Sequence, residues 1–463
     1  MGLWQSFLRW LAGTEEQRAP KPRLPRREAN LPPPIPQAAR PARPPRQSAS
    51  APLVIGLDFG TYATKIVTRP RGDPMADVIC IDEPAPGYPF FAVPSLVRLL
   101  DNCVFFGREA LCQSEGKLYR SLKVCLLPPA NGAGPQQSRG TSPSPDLLVS
   151  FYLSWVLHSI RNQIQVRFEQ GQPAIFLNMA APMSHVEDAK LKDRYLRIIH
   201  AAWESVFGQN PFPAQQGMGL PLLTQRFQPW LEAEVPDLTI RRFQVLPETV
   251  APIVSLSLDP RMAPGMYLIL DVGAGTTELS VNHVGERGAD QRVACYTDES
   301  SLFGGDSFDW ADKHFRGDHA ALCGHRNRLL CFLMKFLKRK WAEGYLKDAP
   351  SVAARPRWRQ LTVLLTGGGA RRPDVESTVN NTNPIYPWPI SETTHRVYWH
   401  RPTGIHIGPG MDHADEELAL LSVAHGLSVP RQQWPDCFPP GAMDQLPPDR
   451  PPEGPPPYWY VDH

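Results

Sequence analysis

Between residues 51 and 430 two apolar periodicities take turns along this chain. Alternation at every second position marks strands. Residues 174–180 and 243–246 are short apolar strand candidates, and residues 53–67 and 267–281 each hold two strand-like runs around a glycine turn. Recurrence every three to four positions marks helices. Residues 146–170 form a long amphipathic candidate, and residues 186–207 place Val186, Ala189, Leu196, Ile199 and Trp203 on one face. A further helix is expected from Thr249. Strands interleaved with helices predict an α/β class. Residues 128–145 and 208–240, rich in Pro, Gly and Gln, read as loops or insertions.

The two glycine-turn segments are copies of one unit. LVIGLDFGTYATKIV (53–67) and YLILDVGAGTTELSV (267–281) align Asp58 with Asp271, Gly60 with Gly273, and Thr64 with Thr277, an offset of 213 residues (271 minus 58). Each predicts a β-hairpin whose strand delivers a carboxylate and whose turn exposes backbone N–H groups. Glycines there allow close approach and positive φ, so the turn can form a nest for phosphate oxygens. A carboxylate beside bare phosphate would repel it, so hydrated Mg²⁺ between them is expected. Two related halves follow from the repeat. Gly273-x-Gly275 lacks the third glycine of a dinucleotide fingerprint, since Glu278 stands there, and no Gly-x-x-x-x-Gly-Lys-Ser/Thr loop occurs.

These residues resemble the actin-like ATPase superfamily, and within it the heat-shock protein 70 chaperones. Asp58–Gly60–Thr61 looks like the first phosphate motif and Asp271–Gly273–Gly275–Thr276 the second. LTGGGARRP (365–373) is similar to the adenosine motif, PETVA (247–251) to the segment carrying a water-positioning glutamate, and GGDSFD (304–309) to the chaperone signature. Pro94–Val97, Phe106–Ala110 and Ser121–Lys123 resemble the chaperone's first lobe, and ADEELALLSVAHGLS (414–428) its closing helix. The resemblance implies a two-lobed α/β fold with duplicated ribonuclease-H-like lobes, mixed sheets flanked by helices. Lobe I would be 51–260, lobe II 261–404, and 405–430 a closing helix returning to lobe I.

It also implies ATP and Mg²⁺ as cofactors. Asp58 and Asp271 would organise the metal through water. Gly60, Thr61, Tyr62, Gly273, Ala274, Gly275 and Thr276 would hold phosphates, with Lys123 offsetting charge and Glu248 orienting the attacking water. Gly367, Gly368, Gly369 and Arg371 would approach the adenosine. A Mg-dependent ATPase or nucleotide switch acting on a protein partner is expected. A membrane-attached, filament-forming actin-like protein is the alternative. A small-molecule kinase lacks an identifiable acceptor site. Departures from the pattern are Ala274 for a glycine, Glu278 for an aspartate, and an adenosine helix matched only by Glu343 and Lys347. A Trp/Tyr/His-rich insertion spans 380–410, and no peptide-binding β-domain follows Pro430.

Composition adds the ends. Of 52 prolines, ten fall in residues 1–50 and eleven in 430–463, which predicts a disordered arm and tail. The arm carries nine Lys/Arg against three Asp/Glu, and before it residues 3–11 form a short amphipathic segment suited to a membrane surface or a protein groove. With a net charge of +2, nucleic acid is not an expected partner. Eight cysteines without a Cys-x-x-Cys pair suit reduced thiols in the cytoplasm, with peripheral attachment at the inner membrane face through residues 3–11. His314, His319, Cys323 and His325 cluster but match no structural zinc spacing.

Overall fold

The strand Leu53–Phe59 is buried along its whole length and lies at the centre of the first sheet. It is flanked by Ile175–Ala181, running parallel, and by Ala63–Pro70, its antiparallel hairpin partner. This is a computed structural model. It describes residues 51–126, 143–167, 173–236, 242–286, 291–301, 303–348, 358, 360–382, 394–407, 415–438 and 440, all within one compact unit. The arm with its 3–11 segment, the proline-rich stretch 441–463 and residues 383–393 lie outside the described residues. Among the described residues no helix is long and apolar enough to cross a membrane.

The first sheet runs in the order Phe243–Pro247, Ile175–Ala181, Leu53–Phe59, Ala63–Pro70, Ala76–Val78, Ile405–His406, and Ala92–Pro94 also pairs with Ala63–Pro70. The second runs Thr394–Trp399, Gln360–Thr366, Gly265–Val272, Thr277–Val284, Arg292–Ser301, Asp436–Phe438. The two share one plan. In each, three parallel strands lead to an antiparallel hairpin, a third antiparallel strand and a sixth strand parallel to that third. The hairpin registers coincide as well: Leu53↔Pro70 through Phe59↔Thr64 match Met266↔His283 through Val272↔Thr277 at the same offset of 213. The molecule is thus mixed α/β, with mixed sheets flanked by helices. A third, antiparallel sheet joins Lys117–Tyr119, Val97–Leu100, Cys103–Phe106 and Met218–Gly219.

Each large sheet has its own core. Helices Pro145–Arg167 and Ala189–Phe207 pack on the first, burying Phe151, Tyr152, Ile160, Ile198, Ala202 and Val206 with Ile55, Leu57 and Leu177. Burying each large apolar side chain contributes about 1.5–3 kcal/mol. Pro145 opens the first of these helices, where its missing N–H costs nothing. Asp188 caps the second by accepting from the amides of Lys190 and Leu191 at 2.8 and 3.1 Å, which splits the expected 186–207 helix into Met183–Glu187 and Ala189–Phe207. On the second sheet, helix His319–Asp348 buries Leu333, Phe336, Leu337, Trp341 and Gly344 at helical spacing.

Three expectations change. Residues 208–240, read as a loop, contain helix Leu220–Glu232, whose Leu223 and Phe227 reach the first core although Pro229 lies inside it. Part of the presumed 380–410 insertion is the strand Thr394–Trp399, in the sheet beside Gln360–Thr366. Residues 431–438, assigned to the tail, form a 3₁₀ turn and strand Asp436–Phe438 on the second sheet, with Trp434 buried and its indole donating to the Val429 carbonyl at 3.0 Å.

Two short helices lie between the sheets. Ala251–Ser257 turns Ala251 and Val254 toward Val423 and Leu427, and Ile253 and Leu256 toward Tyr267, Ile269 and Leu364. Ser422–Leu427 crosses it so closely that a Cβ at Gly426 would fall 1.9 Å from the Ala251 carbonyl oxygen, and one at Gly56 2.1 Å from that of Ala424. A buried polar chain runs through this junction: Arg69 Nη2 to His425 Nε2 at 2.8 Å, His425 Nδ1 to Ser255 Oγ at 2.8 Å, and Ser255 Oγ to His400 Nε2 at 3.0 Å. The guanidinium can only donate, so His425 accepts at Nε2 and donates from Nδ1, and the Ser255 hydroxyl donates on to His400. Burial, with Arg69 beside it, keeps His425 neutral. Burial also lowers His400 to about 4, and the nearby Asp259 only partly opposes this.

Candidate functional site

The ends of the two hairpins meet at one cleft of about 320 Å³. Register explains why. Asp58 and Asp271 occupy the same place in each hairpin, one residue before the last strand position, and each threonine at the start of the return strand is anchored. Thr64 Oγ1 accepts from the Tyr152 hydroxyl at 2.9 Å and lies 3.0 Å from Ser95 Oγ, while Thr277 Oγ1 donates to the Phe303 carbonyl at 2.6 Å. The second turn is braced from behind by the start of helix Gly305–His314, whose Gly305 and Asp306 amides donate to the carbonyls of Gly273 and Ala274, both at 2.8 Å. Those two amides are thereby spent on the turn. The amides of Thr61, Ala274 and Gly275 donate to no backbone carbonyl among the described residues.

Asp58, Gly60, Thr61, Tyr62, Lys123, Glu248, Asp271, Gly273, Ala274, Thr276, Gly367, Gly368, Gly369 and Arg371 all line this cleft. Gly275 does not line it. It lies under the first turn, where a Cβ would come 3.0 Å from Thr61 Cγ2, so it lets the two turns touch. Glu343 and Lys347 are elsewhere: Glu343 pairs with Lys340 at 2.5 Å and Lys347 donates to the Tyr296 carbonyl at 2.8 Å. Tyr62 stacks on Tyr88 with ring centroids 4.2 Å apart. Among the described residues no three His, Cys, Asp or Glu side chains converge as metal ligands, and His319 and Cys323 form a pair at 3.5 Å.

The glycines work by close approach rather than by unusual backbone angles. Gly60, Gly273 and Gly275 all keep negative φ, contrary to the expectation of left-handed turns. A Cβ at Gly60 would instead lie 2.6 Å from the Ala63 carbonyl oxygen. Gly367 does need its glycine: φ is +84°, and a Cβ would come 2.2 Å from Asp271 Oδ1. At Gly368 a Cβ would meet nothing within 4 Å, so its absence leaves room for a ligand against the backbone.

Four carboxylates and two lysines form the floor. Lys65 Nζ donates to Asp58 Oδ2 at 2.6 Å, directly across the first hairpin. The equivalent pair in the second hairpin is Asp271 and Glu278, two acids. Lys123 is ion-paired to Glu248, with both side chains buried. Burial opposes ionisation of Glu248, but the Lys123 charge and hydrogen bonds from Glu278 and Lys123 outweigh it and hold the carboxyl below its usual range. Burial, and then the charge of Glu248, push Glu278 well above its usual range, so Glu278 is protonated and donates to Glu248. Its Oε1 is buried without a hydrogen-bond partner among the described residues. Asp271, partly open to the cleft, is raised to about 7 by desolvation and then by Glu248, with Lys65 acting the other way. At the rim, Arg371 pairs with Glu417 at 3.3 Å, and Arg372 with Asp309 at 2.7 Å.

Lys65, Arg372, Asp306 and Asp309 line the cleft without having been singled out as site residues. The signal for Lys65 was present. At the offset of 213 it aligns with Glu278, so a repeated hairpin carries opposite charges at one position. Models of known protein families give no match to the chain, and comparison with curated proteins finds no similar sequence.

Proposed function

We propose that this chain is an ATP-binding protein with a two-lobed actin-like fold, each large sheet belonging to one lobe, and that it acts as a nucleotide-dependent switch or slow ATPase on a protein partner, as the heat-shock protein 70 resemblance implies. One observation carries the reading. Two sheets of identical strand plan bring the Asp58 turn, the Asp271 turn and the Gly367–Gly369 segment to a single cleft. A duplicated turn facing its copy suits a polyphosphate, which offers oxygens on both sides, better than a ligand with one polar end.

The residues fit ATP on their own terms. Amides of Thr61 and Ala274, which line the cleft and donate to no backbone carbonyl among the described residues, would donate to phosphate oxygens. The open space over Gly368 would take the flat face of the adenosine, and Arg371, at the rim, would stack on the base. Bound ATP supplies a phosphoanhydride whose hydrolysis can drive a change of state. Glu248 would orient water only weakly, because its carboxylate is already engaged by Lys123 and Glu278. Slow turnover is the expected consequence. Relative movement of the lobes would pass through the two short helices at Gly426, the second of which begins beside the cleft, with Ser422 Oγ 3.2 Å from Thr366 Oγ1.

Differential scanning calorimetry of the full chain tests the reading. A ligand that binds only the native state stabilises it, by about 2.7 kcal/mol at a hundred times its Kd. ATP and ADP should therefore raise the Tm, and AMP much less. If neither ATP nor ADP moves the Tm nor gives heat in titration calorimetry, the nucleotide reading is wrong.

A further inference from the structure

One of the two aspartates expected to organise Mg²⁺ is already engaged by a cation of the protein's own. Asp58 should offer its carboxylate to the water shell of a divalent cation, but Oδ2 already accepts from Lys65 Nζ at 2.6 Å. The pairing is built in: Asp58 and Lys65 are direct cross-strand neighbours, and neither side chain is more than 14% exposed. Asp271 faces Glu278 across its own hairpin, so no lysine tethers it as Lys65 tethers Asp58. Lys65 lines the same cleft as Asp271 and Glu248. One ammonium thus stands among the carboxylates where a hydrated metal would have been expected.

We propose that Lys65 is a tethered cation that takes over the metal's charge-compensating role, so that the cleft binds a nucleoside polyphosphate with or without a divalent ion. The inference rests on the nucleotide reading above. An ammonium has three donors, and the bond to Asp58 uses one. Lys65 lines the cleft, so its remaining donors are available to phosphate oxygens while Asp58 keeps the side chain in place. Charge accounting agrees. Asp58 is paired with Lys65 and Glu248 with Lys123, so two of the four carboxylates on the floor carry their own counter-charge.

Titration calorimetry of the full-length protein with ATP, in excess MgCl₂ and in excess EDTA, decides the matter. The wild type should bind in both, with Kd values within about threefold, a free-energy difference under about 1 kcal/mol. Lys65→Met should lose metal-free binding by about tenfold to a hundredfold, the loss of a charge-assisted hydrogen bond, and should respond strongly to Mg²⁺ because Asp58 is released. Lys65→Arg keeps the charge and should stay metal-independent. Wild-type binding in MgCl₂ but not in EDTA overturns the inference while leaving the nucleotide reading intact. Absence of binding in both buffers removes the nucleotide reading itself. Metal-free binding by Lys65→Met equal to wild type overturns the role of Lys65, and if that variant melts early, Lys65→Gln repeats the comparison.

Discussion

Asp58 and Asp271 are one residue in two copies, yet their neighbours send them opposite ways. Asp58 faces a lysine across its hairpin and is paired. Asp271 faces a glutamic acid, and burial, then the nearby ionised Glu248, raise its carboxyl to about 7. A raised carboxyl pKa means the folded state holds its proton where the unfolded chain has lost it. That contribution to stability is present below the unfolded value, near 4, and is lost as pH rises through about 7. Asp271→Asn should therefore flatten the stability curve between pH 4 and 7 relative to wild type. It should stabilise the ligand-free protein at pH 8 by up to about 4 kcal/mol, at about 1.4 kcal/mol per pKa unit between the unfolded value and about 7. Urea melts of the two proteins across that range check it. Parallel curves would mean that Asp271 ionises normally.

At the scale of elements, the turn after strand Gln360–Thr366 separates folding from binding in adjacent glycines. Gly367 has φ of +84° and no room for a Cβ, which would meet the Asp271 carboxylate and the Val272 carbonyl. Gly368 has free space beside it. Gly367→Ala should cost on the order of 2–4 kcal/mol through strain and crowding. Gly368→Ala should change stability by under about 0.5 kcal/mol, as an unhindered surface change does. Nucleotide affinity should nonetheless fall in Gly368→Ala, because the new methyl group enters the cleft. Thermal melts with and without ATP read both effects. A large loss of stability in Gly368→Ala, or none in Gly367→Ala, would contradict this account of the turn.

At the scale of the molecule, the two sheets are joined through short helices, an apolar cluster that holds Ala180 and Leu246 of one sheet with Cys295 of the other, and a buried polar chain, Arg69–His425–Ser255–His400. Both histidines are neutral in the folded state, and His400 is lowered to about 4. A depressed value contributes stability that is present above the unfolded value, near 6.5, and is lost as pH falls through the folded one. Acidification should thus loosen the junction first. His400→Gln, which cannot charge but can still accept from Ser255, should lose about 2–3 kcal/mol less than wild type between pH 6.5 and 4. Chemical denaturation across that range measures the difference, and equal acid sensitivity would mean the charge of His400 is accommodated at the junction. Asp271 changes stability in the opposite sense throughout this window, so each variant must be compared with wild type rather than read alone.

Strand and helix alternation, the duplicated hairpin and its offset were decided by sequence alone, because alternating burial and glycine turns are local properties of a chain. So were most of the residues now found around the cleft. Other features depended on partners distant in sequence. Residues 436–438 and 394–399 look like loop until a neighbouring strand supplies their hydrogen bonds, and helix Leu220–Glu232 is hidden by two prolines that burial of Leu223 and Phe227 overrides. Of the close approach and positive φ predicted for the turn glycines, only the close approach is found at Gly60, where a carbonyl oxygen brought in by folding excludes a Cβ. The ionic state of the cleft was decided last. Only tertiary structure sets Lys123 against Glu248 and Glu248 against Glu278, and burial makes those pairings, rather than the residues' ordinary chemistry, determine which groups are free to act.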